Sequence, residues 1–325
     1  MEPELTSINM NALIVGKGAI GSFLGDRLVE NGWQVSFLTS SESAYFHKRV
    51  RGADVVFVAI STRDDGSAAR AYIEGAREHN IPVVTCEKGS LANHFDALKP
   101  HLSQIGFTAT VGGGSKILSL VTGINERTTR LLGILNGTLN FLFWKVGNKH
   151  DPHEVFEEAQ KKGLCEPGNH SLAEAVHGEL NDVKAKAAIL FNVAGLSAEP
   201  LRPTDFSYSI PSAWEIARLL DRAGNIRFVV EIFRDTSSNH RFDFEVFQAK
   251  REGWLIRGNF VRIDTSNDDV LRGMAYLTRE EKNTLIVEDS SGNLEARTGV
   301  GAGLEPTTSV MIEDAYRLLG LQKHC

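Results

Sequence analysis

Three groups of residues in this chain have the types and spacing to do chemistry. Lys88 stands in VVTCEKGSLA, where a run of buried-strand character breaks abruptly into a charged pair and a glycine. Asp182 and Lys186 lie four residues apart in DVKAK, so a helix stacks a carboxylate and an ammonium on one face. Gly16, Gly18 and Gly21 form GKGAIG. A lysine moves a proton to or from an oxygen atom when burial or a neighbouring cation brings its pKa towards neutrality. A carboxylate beside it fixes the geometry and binds an ammonium group. Each group also has a plainer reading. An (i, i+4) Asp–Lys pair is the ordinary surface ion pair, worth about 0.2–0.5 kcal/mol. The flanking VKAKAAILF is strongly apolar, so one face of this helix must be buried. Lys184 lies about 200° round from Lys186 and is assigned to solvent.

The elements that position these groups follow from apolar periodicity. ALIV (12–15), VSFL (35–38), DVVFVAI (54–60) and IPVVT (81–85) read as strands. SFLGDRLVENG (22–32) and SAARAYIEGAREHN (67–80) read as the helices between them. Near-continuous apolar strands alternating with helices predict a Rossmann-type doubly wound parallel sheet. After about residue 115 the rhythm changes. A long apolar stretch over 117–146 precedes helices over 154–163 and 179–196. RFVVEIFR (227–234), FDFEVFQA (242–249) and WLIRGNFVRID (254–264) alternate as strands of a half-buried antiparallel sheet. SSGN (290–293) is a hairpin turn, and 307–320 is a final helix. The expected fold is α/β: a dinucleotide-binding domain over 1–116 and 299–325, and a second, α+β domain over 117–298 for substrate binding, catalysis and dimerisation.

GKGAIG sits directly between a strand and a helix, which is the setting that gives GxGxxG its meaning. The glycines allow a tight turn and close backbone approach, and the helix N-terminus offers free N–H groups to a pyrophosphate. A purely structural glycine turn is the alternative. Gly16, Gly18, Ala19, Ile20 and Gly21 are therefore expected at a cofactor. Thr39, Ser61 and Thr62, which follow the second and third strands, join them. An acidic residue ending the second strand favours NAD. Here hydroxyls end it and Glu42 comes late, followed by His47, Lys48 and Arg49, so the sequence leans slightly to NADP over NAD.

With these in place, the chain resembles the homoserine dehydrogenase family in six ordered blocks. VVTCEKGSLA is similar to the family's VVTANK stretch, and TATVGGGSKIL (108–118) to its ATVGAGLPI. GILNGTLNF (133–141) is nearly its GIINGTTNF. KGLCEP (162–167) looks like its LGYAEP, and Asp182 to Lys186 like its D-x-x-x-K helix. GVGAGLEPTTSVMIEDA (299–315) looks like its GPGAGxxPTAsAVxxDL. The resemblance implies NAD(P)-dependent interconversion of L-homoserine and L-aspartate 4-semialdehyde. It implies Lys186 and Lys88 as catalytic lysines, with Lys88 also contacting the cofactor. Glu166, Asp182, Gly137 and Thr138 would bind substrate, and Gly301 and Gly303 would return the chain to the cofactor. Backbone carbonyls of Thr108, Val111, Gly113 and Ser115 would hold a monovalent cation, and the protein would be a homodimer. The chain departs from the family at Thr108, where an acidic residue is usual, and at Ser115-Lys116, which replaces Leu-Pro. It also carries about five extra residues between Glu166 and Asp182.

Composition narrows the field. The net charge of −6, with basic residues spread along the chain, argues against nucleic-acid or anionic-membrane partners. Three cysteines without CxxC spacing suggest a reducing, cytoplasmic compartment, and the ten histidines form no metal-binding pair. No signal peptide or ~18-residue apolar run is read. The length leaves no room for an aspartate kinase, and no ACT-like extension is read. A dehydrogenase of another small amino or hydroxy acid, and a silent dinucleotide-binding protein, stand as alternatives.

Overall fold

Runs of Val, Ile and Leu too short for helices set the first layer of the structure, a computed structural model describing residues 10–321 apart from 123, 125, 166–167, 222–225, 235–243, 264–265 and 267. The chain divides into two units, Met1–Thr110 with Leu304–Cys325, and Val111–Gly303. Residues after Thr110 join the second unit because they pack under its hairpin. A Cβ on Gly299 would lie 2.8 Å from the Ser115 Cα.

The first unit runs β1 (Asn11–Val15), α1 (Ala19–Glu30), β2 (Gln34–Leu38), α2 (Phe46–Arg49) and β3 (Val55–Val58). It continues with α3 (Ser67–Arg77), β4 (Val83–Thr85), α4 (Gly89–Asn93), α5 (Phe95–Leu98) and β5 (Ile105–Gly106). The five strands form one parallel sheet in the order β2-β1-β3-β4-β5. The order reverses between β1 and β3, the point at whose carboxyl edge open α/β sheets bind ligands. Val15 pairs with both Leu38 and Val58, so β1, β2 and β3 end level. Ile14, Leu24, Leu28, Trp33, Phe57, Met311 and Tyr316 make a fully packed core beneath them. The closing helix (Leu304–Leu318) is fastened there, since Asp314 accepts from the Thr108 N–H at 2.9 Å and its hydroxyl at 3.0 Å.

The second unit holds α6 (Leu118–Val121), β6 (Thr128–Ile134), α7 (Gly137–Gly147), α8 (Pro152–Lys161), α9 (Leu172–Val193), β7 (Ser207–Tyr208) and α10 (Ala213–Asp221). Then come β8 (Ile226–Arg234), β9 (Phe244–Arg251), β10 (Trp254–Arg262), α11 (Asp269–Leu277), β11 (Lys282–Asp289) and β12 (Leu294–Val300). Its seven strands pair antiparallel in the order β12-β11-β6-β8-β10-β9-β7. β8 is more deeply buried than the alternation suggested, in all but its last residue, while β9 still exposes Glu245, Gln248 and Lys250. On one face Phe143 of α7 meets Phe260 at 4.9 Å; on the other α11 covers Leu132, Val229, Val261 and Ile286. Glu231 is buried between Arg130 and Arg257 at 2.6 and 2.8 Å. Paired charges at a covered face mimic the polar half of an exposed strand.

Two other expectations change. The 117–146 stretch is a short helix, a strand and a longer helix. α9 starts at Leu172, capped by Ser171 and the Glu174 side chain, so the segment with extra residues is partly helical. His177 is half-buried with its ring against the Pro211 carbonyl.

Candidate active site

The glycine loop is built as the sequence proposed, and its three glycines do different work. Gly16 has φ +103°, and a Cβ there would lie 2.4 Å from the Ala59 carbonyl oxygen. A Cβ on Gly21 would lie 2.2 Å from the Gly16 oxygen. These two are demanded by the turn and by helix packing. Gly18 is not: its φ is −77° and no atom lies within 4 Å of the Cβ position. No described residue needs glycine there, whereas a ligand pressed against the backbone would. Gly18 also caps α1 without a side-chain hydrogen bond, and the first turn, Ala19 and Ile20 included, carries no acidic residue. The N–H groups at this helix end are thus left for an anion. The residues fit a dinucleotide pyrophosphate.

Thr39 ends β2 and is engaged. Its N–H and hydroxyl both donate to Glu42 Oε2, at 3.2 and 3.0 Å, and Arg49 meets Glu42 Oε1 at 2.6 Å. Ser61 is exposed in the loop after β3. Thr62 donates its hydroxyl to Glu87 at 2.5 Å.

That last bond explains the odd CysGlu before Lys88. Glu87 is 2% exposed, and its oxygens also accept the Gly89 N–H at 2.6 Å and the Ser90 N–H at 2.9 Å. The carboxylate thereby holds the first amides of α4 and the loop after β3 together. Lys88, at the N-cap of α4, is half-buried just past the carboxyl end of β4. Burial pushes the neighbouring Cys86 thiol up to about 11, with the Lys88 charge opposing and the Glu87 charge reinforcing the shift.

The second cluster lies on α9. Lys186 is 8% exposed, and its Nζ is 2.6 Å from Asp182 Oδ2. Lys186 is buried and Asp182 half-buried, so the surface ion-pair reading does not describe the pair. Asn136 Nδ2 donates to the same Asp182 oxygen at 3.1 Å and to Glu179 Oε2 at 2.5 Å, while its Oδ1 caps α7 by accepting the Leu139 N–H at 2.8 Å. Glu179 was missed by sequence reasoning. The signal was its (i, i+3) spacing from Asp182, which puts both carboxylates on one face.

Thr138 donates to the Leu164 carbonyl at 2.9 Å, tying Leu164 to the first turn of α7. Gly137 is required by packing, since a Cβ would lie 2.6 Å from the Glu281 carbonyl oxygen. Cys165 next to it feels Glu179: burial first and then that charge push the thiol up to about 11. Glu166 lies outside the described residues. Lys184, expected in solvent, is half-buried over the Tyr208 ring, 4.3 Å from its centroid, and desolvation holds its pKa below the usual lysine value.

The other expected residues are placed as follows. Gly301 packs on Asn283, whose side chain a Cβ would strike at 2.3 Å, and Gly303 has φ +113°; both belong to the second unit. Of the cation candidates, Thr108 belongs to the first unit and Val111, Gly113 and Ser115 to the second. The Ser115 hydroxyl donates to the Gly112 carbonyl at 2.6 Å, and Gly113 has φ +48°. Among the described residues no group of three His, Cys, Asp or Glu could hold a metal ion. No helix among them is long and apolar enough to cross a membrane.

A parallel nucleotide-type sheet with a glycine turn, joined in one chain to an α+β unit bearing a buried lysine–carboxylate cluster, defines a Rossmann-type two-unit α/β protein. A family model described as homoserine dehydrogenase matches residues 121–315, more than half of the sequence, and the chain belongs to that family. It is 26% identical over 262 residues to a homoserine dehydrogenase of Synechocystis sp., covering 78% of this chain and 55% of the relative. The chain thus spans about half the length of that curated relative. It shares its fold with a crystal structure of a homoserine dehydrogenase from Thiobacillus denitrificans, at a TM-score of 0.67, 18% identity, and coverage of 95% of this chain and 73% of that one. A hyperthermophilic archaeal homoserine dehydrogenase solved in complex with NADPH matches at a TM-score of 0.61 and 17% identity, covering 94% and 96%.

Proposed function

We propose that this chain interconverts L-homoserine and L-aspartate 4-semialdehyde with a nicotinamide dinucleotide. The observation that carries the reading is the buried Lys186 paired with Asp182, which Asn136 holds at the N-terminus of α7 within the family-matched region. A nicotinamide cofactor supplies the hydride chemistry, and the glycine turn with Gly18 fits its pyrophosphate. The chain's own residues do the rest. Lys186 takes the hydroxyl proton in the oxidation and returns it to the carbonyl oxygen in the reduction. Asp182 orients the ammonium of Lys186 and, with Glu166 and Glu179, offers negative charge to the substrate's amino group. Lys88 contributes a second cation from the edge of the parallel sheet, fixed by the Glu87-braced turn. Gly137 and Thr138 shape the pocket wall, and Gly301 and Gly303 approach the cofactor.

The same reading includes a homodimer, and a monovalent cation at the carbonyls of Thr108, Val111, Gly113 and Ser115. Light scattering and the potassium dependence of the rate test these two. Reduced cofactor should form when purified protein is given L-homoserine with NAD+ or NADP+. No homoserine-dependent product across pH 7–10 would refute the activity, and a panel of other small hydroxy acids would then identify a different substrate.

A further inference from the structure

The end of β2 decides which nicotinamide dinucleotide a glycine turn of this kind accepts, because the adenosine ribose lies there. In this chain the two features are directly joined: the Gly16 N–H donates to the Leu38 carbonyl, the last of β2, at 2.9 Å. In sequence the strand runs into hydroxyls, and the first acid is Glu42. The structure removes that displacement. A capping box folds Glu42 back so that Oε2 lies 3.2 Å from the Thr39 nitrogen and 3.0 Å from its hydroxyl, at the strand end itself. Its side chain keeps 34% of its surface exposed. The Thr39 hydrogen bonds, first among the causes, hold Glu42 below the usual carboxylate range, and it is ionised at neutral pH.

The cation that would have welcomed a phosphate is already committed. Arg49 gives one amino group to Glu42 Oε1 and the other to the Phe37 carbonyl, both at 2.6 Å. His47 and Lys48 are exposed on the same short helix, and Lys17 rests on the Phe37 ring at 5.3 Å. A carboxylate accepts hydrogen bonds from ribose hydroxyls, whereas a 2′-phosphate brings like charge against it.

We propose that Glu42 is a specificity-determining residue that makes this chain select NAD+ over NADP+. The proposal rests on the reading of the glycine turn as a nicotinamide dinucleotide site. Titrating the full-length protein with NAD+ and with NADP+ by calorimetry tests it without any need for turnover. The wild-type protein should bind NAD+ at least ~10-fold more tightly, and Glu42→Gln should narrow that ratio by ~10-fold, mainly through tighter NADP+ binding. Tighter wild-type binding of NADP+ would overturn the assignment whatever the variant does. An unchanged ratio in a variant with wild-type melting behaviour would overturn it equally. Binding of neither dinucleotide would overturn the cofactor reading itself, and this assignment with it.

Discussion

Asp182 Oδ2 lies 2.6 Å from Lys186 Nζ and accepts from Asn136 at 3.1 Å, so one carboxylate oxygen joins a buried lysine on α9 to the cap of α7. A buried charge whose partner is removed costs far more than a surface one, and the geometry of Lys186 depends on both neighbours.

Asp182→Asn should therefore lower the homoserine-dependent rate by ~10²-fold or more, while leaving cofactor binding within a factor of about 2. Steady-state kinetics with dinucleotide titration as a control checks this. A raised KM alone would assign Asp182 to substrate binding and not to holding the lysine.

Asn136→Ala removes a helix cap and the bridge between Glu179 and Asp182. The cap alone is worth about 0.5–2 kcal/mol, and two carboxylates are left facing each other. Both the denaturation midpoint and kcat should fall. Asn136→Ser, which can still cap, should recover stability but not activity.

Gly18→Ala and Gly21→Ala should separate. At Gly21 the new Cβ would lie 2.2 Å from the Gly16 oxygen, so the turn must shift, at a cost of about 1–3 kcal/mol. At Gly18 it meets nothing, and stability should hold within about 0.5 kcal/mol. Dinucleotide affinity should nevertheless drop several-fold. Equal stability losses would show that Gly18 serves the fold and not a ligand.

Glu87→Ala leaves two buried amide N–H groups and the Thr62 hydroxyl without their acceptor, and should cost about 2–3 kcal/mol of unfolding free energy. Chemical denaturation measures it. A loss below about 0.5 kcal/mol would show that water replaces the carboxylate.

Cys86 and Cys165 should react slowly with alkylating agents at pH 8, since both thiols are pushed up to about 11. A raised folded pKa favours the neutral thiol. Its contribution to stability is complete below the ordinary thiol value of 9.0 and is lost as pH rises through about 11. Residue-resolved alkylation from pH 7 to 11 should show rates climbing with pH, and Glu179→Gln should speed Cys165 alone.

The first unit was legible because its information is local. ALIV, VVFV and VVT are near-continuous apolar runs, and GKGAIG sits at a strand-to-helix junction; in the second unit the DVKAK spacing is local in the same way and stacks two charges. The partnerships of Asn136 with Glu179 and of Thr62 with Glu87 were not legible. Each joins residues 43 and 25 positions apart, brought together by packing and not by spacing. Glu42 is also placed by folding and not by spacing: counted along the chain it is four residues past Leu38, yet a capping box returns it to the strand end.

Lys186→Ala tests the central claim most directly, measured as homoserine-dependent formation of reduced cofactor beside dinucleotide binding and melting temperature. The account predicts a rate at least ~10³-fold below wild type with binding and folding preserved. A folded, cofactor-binding Lys186→Ala protein that keeps most of its activity would contradict it.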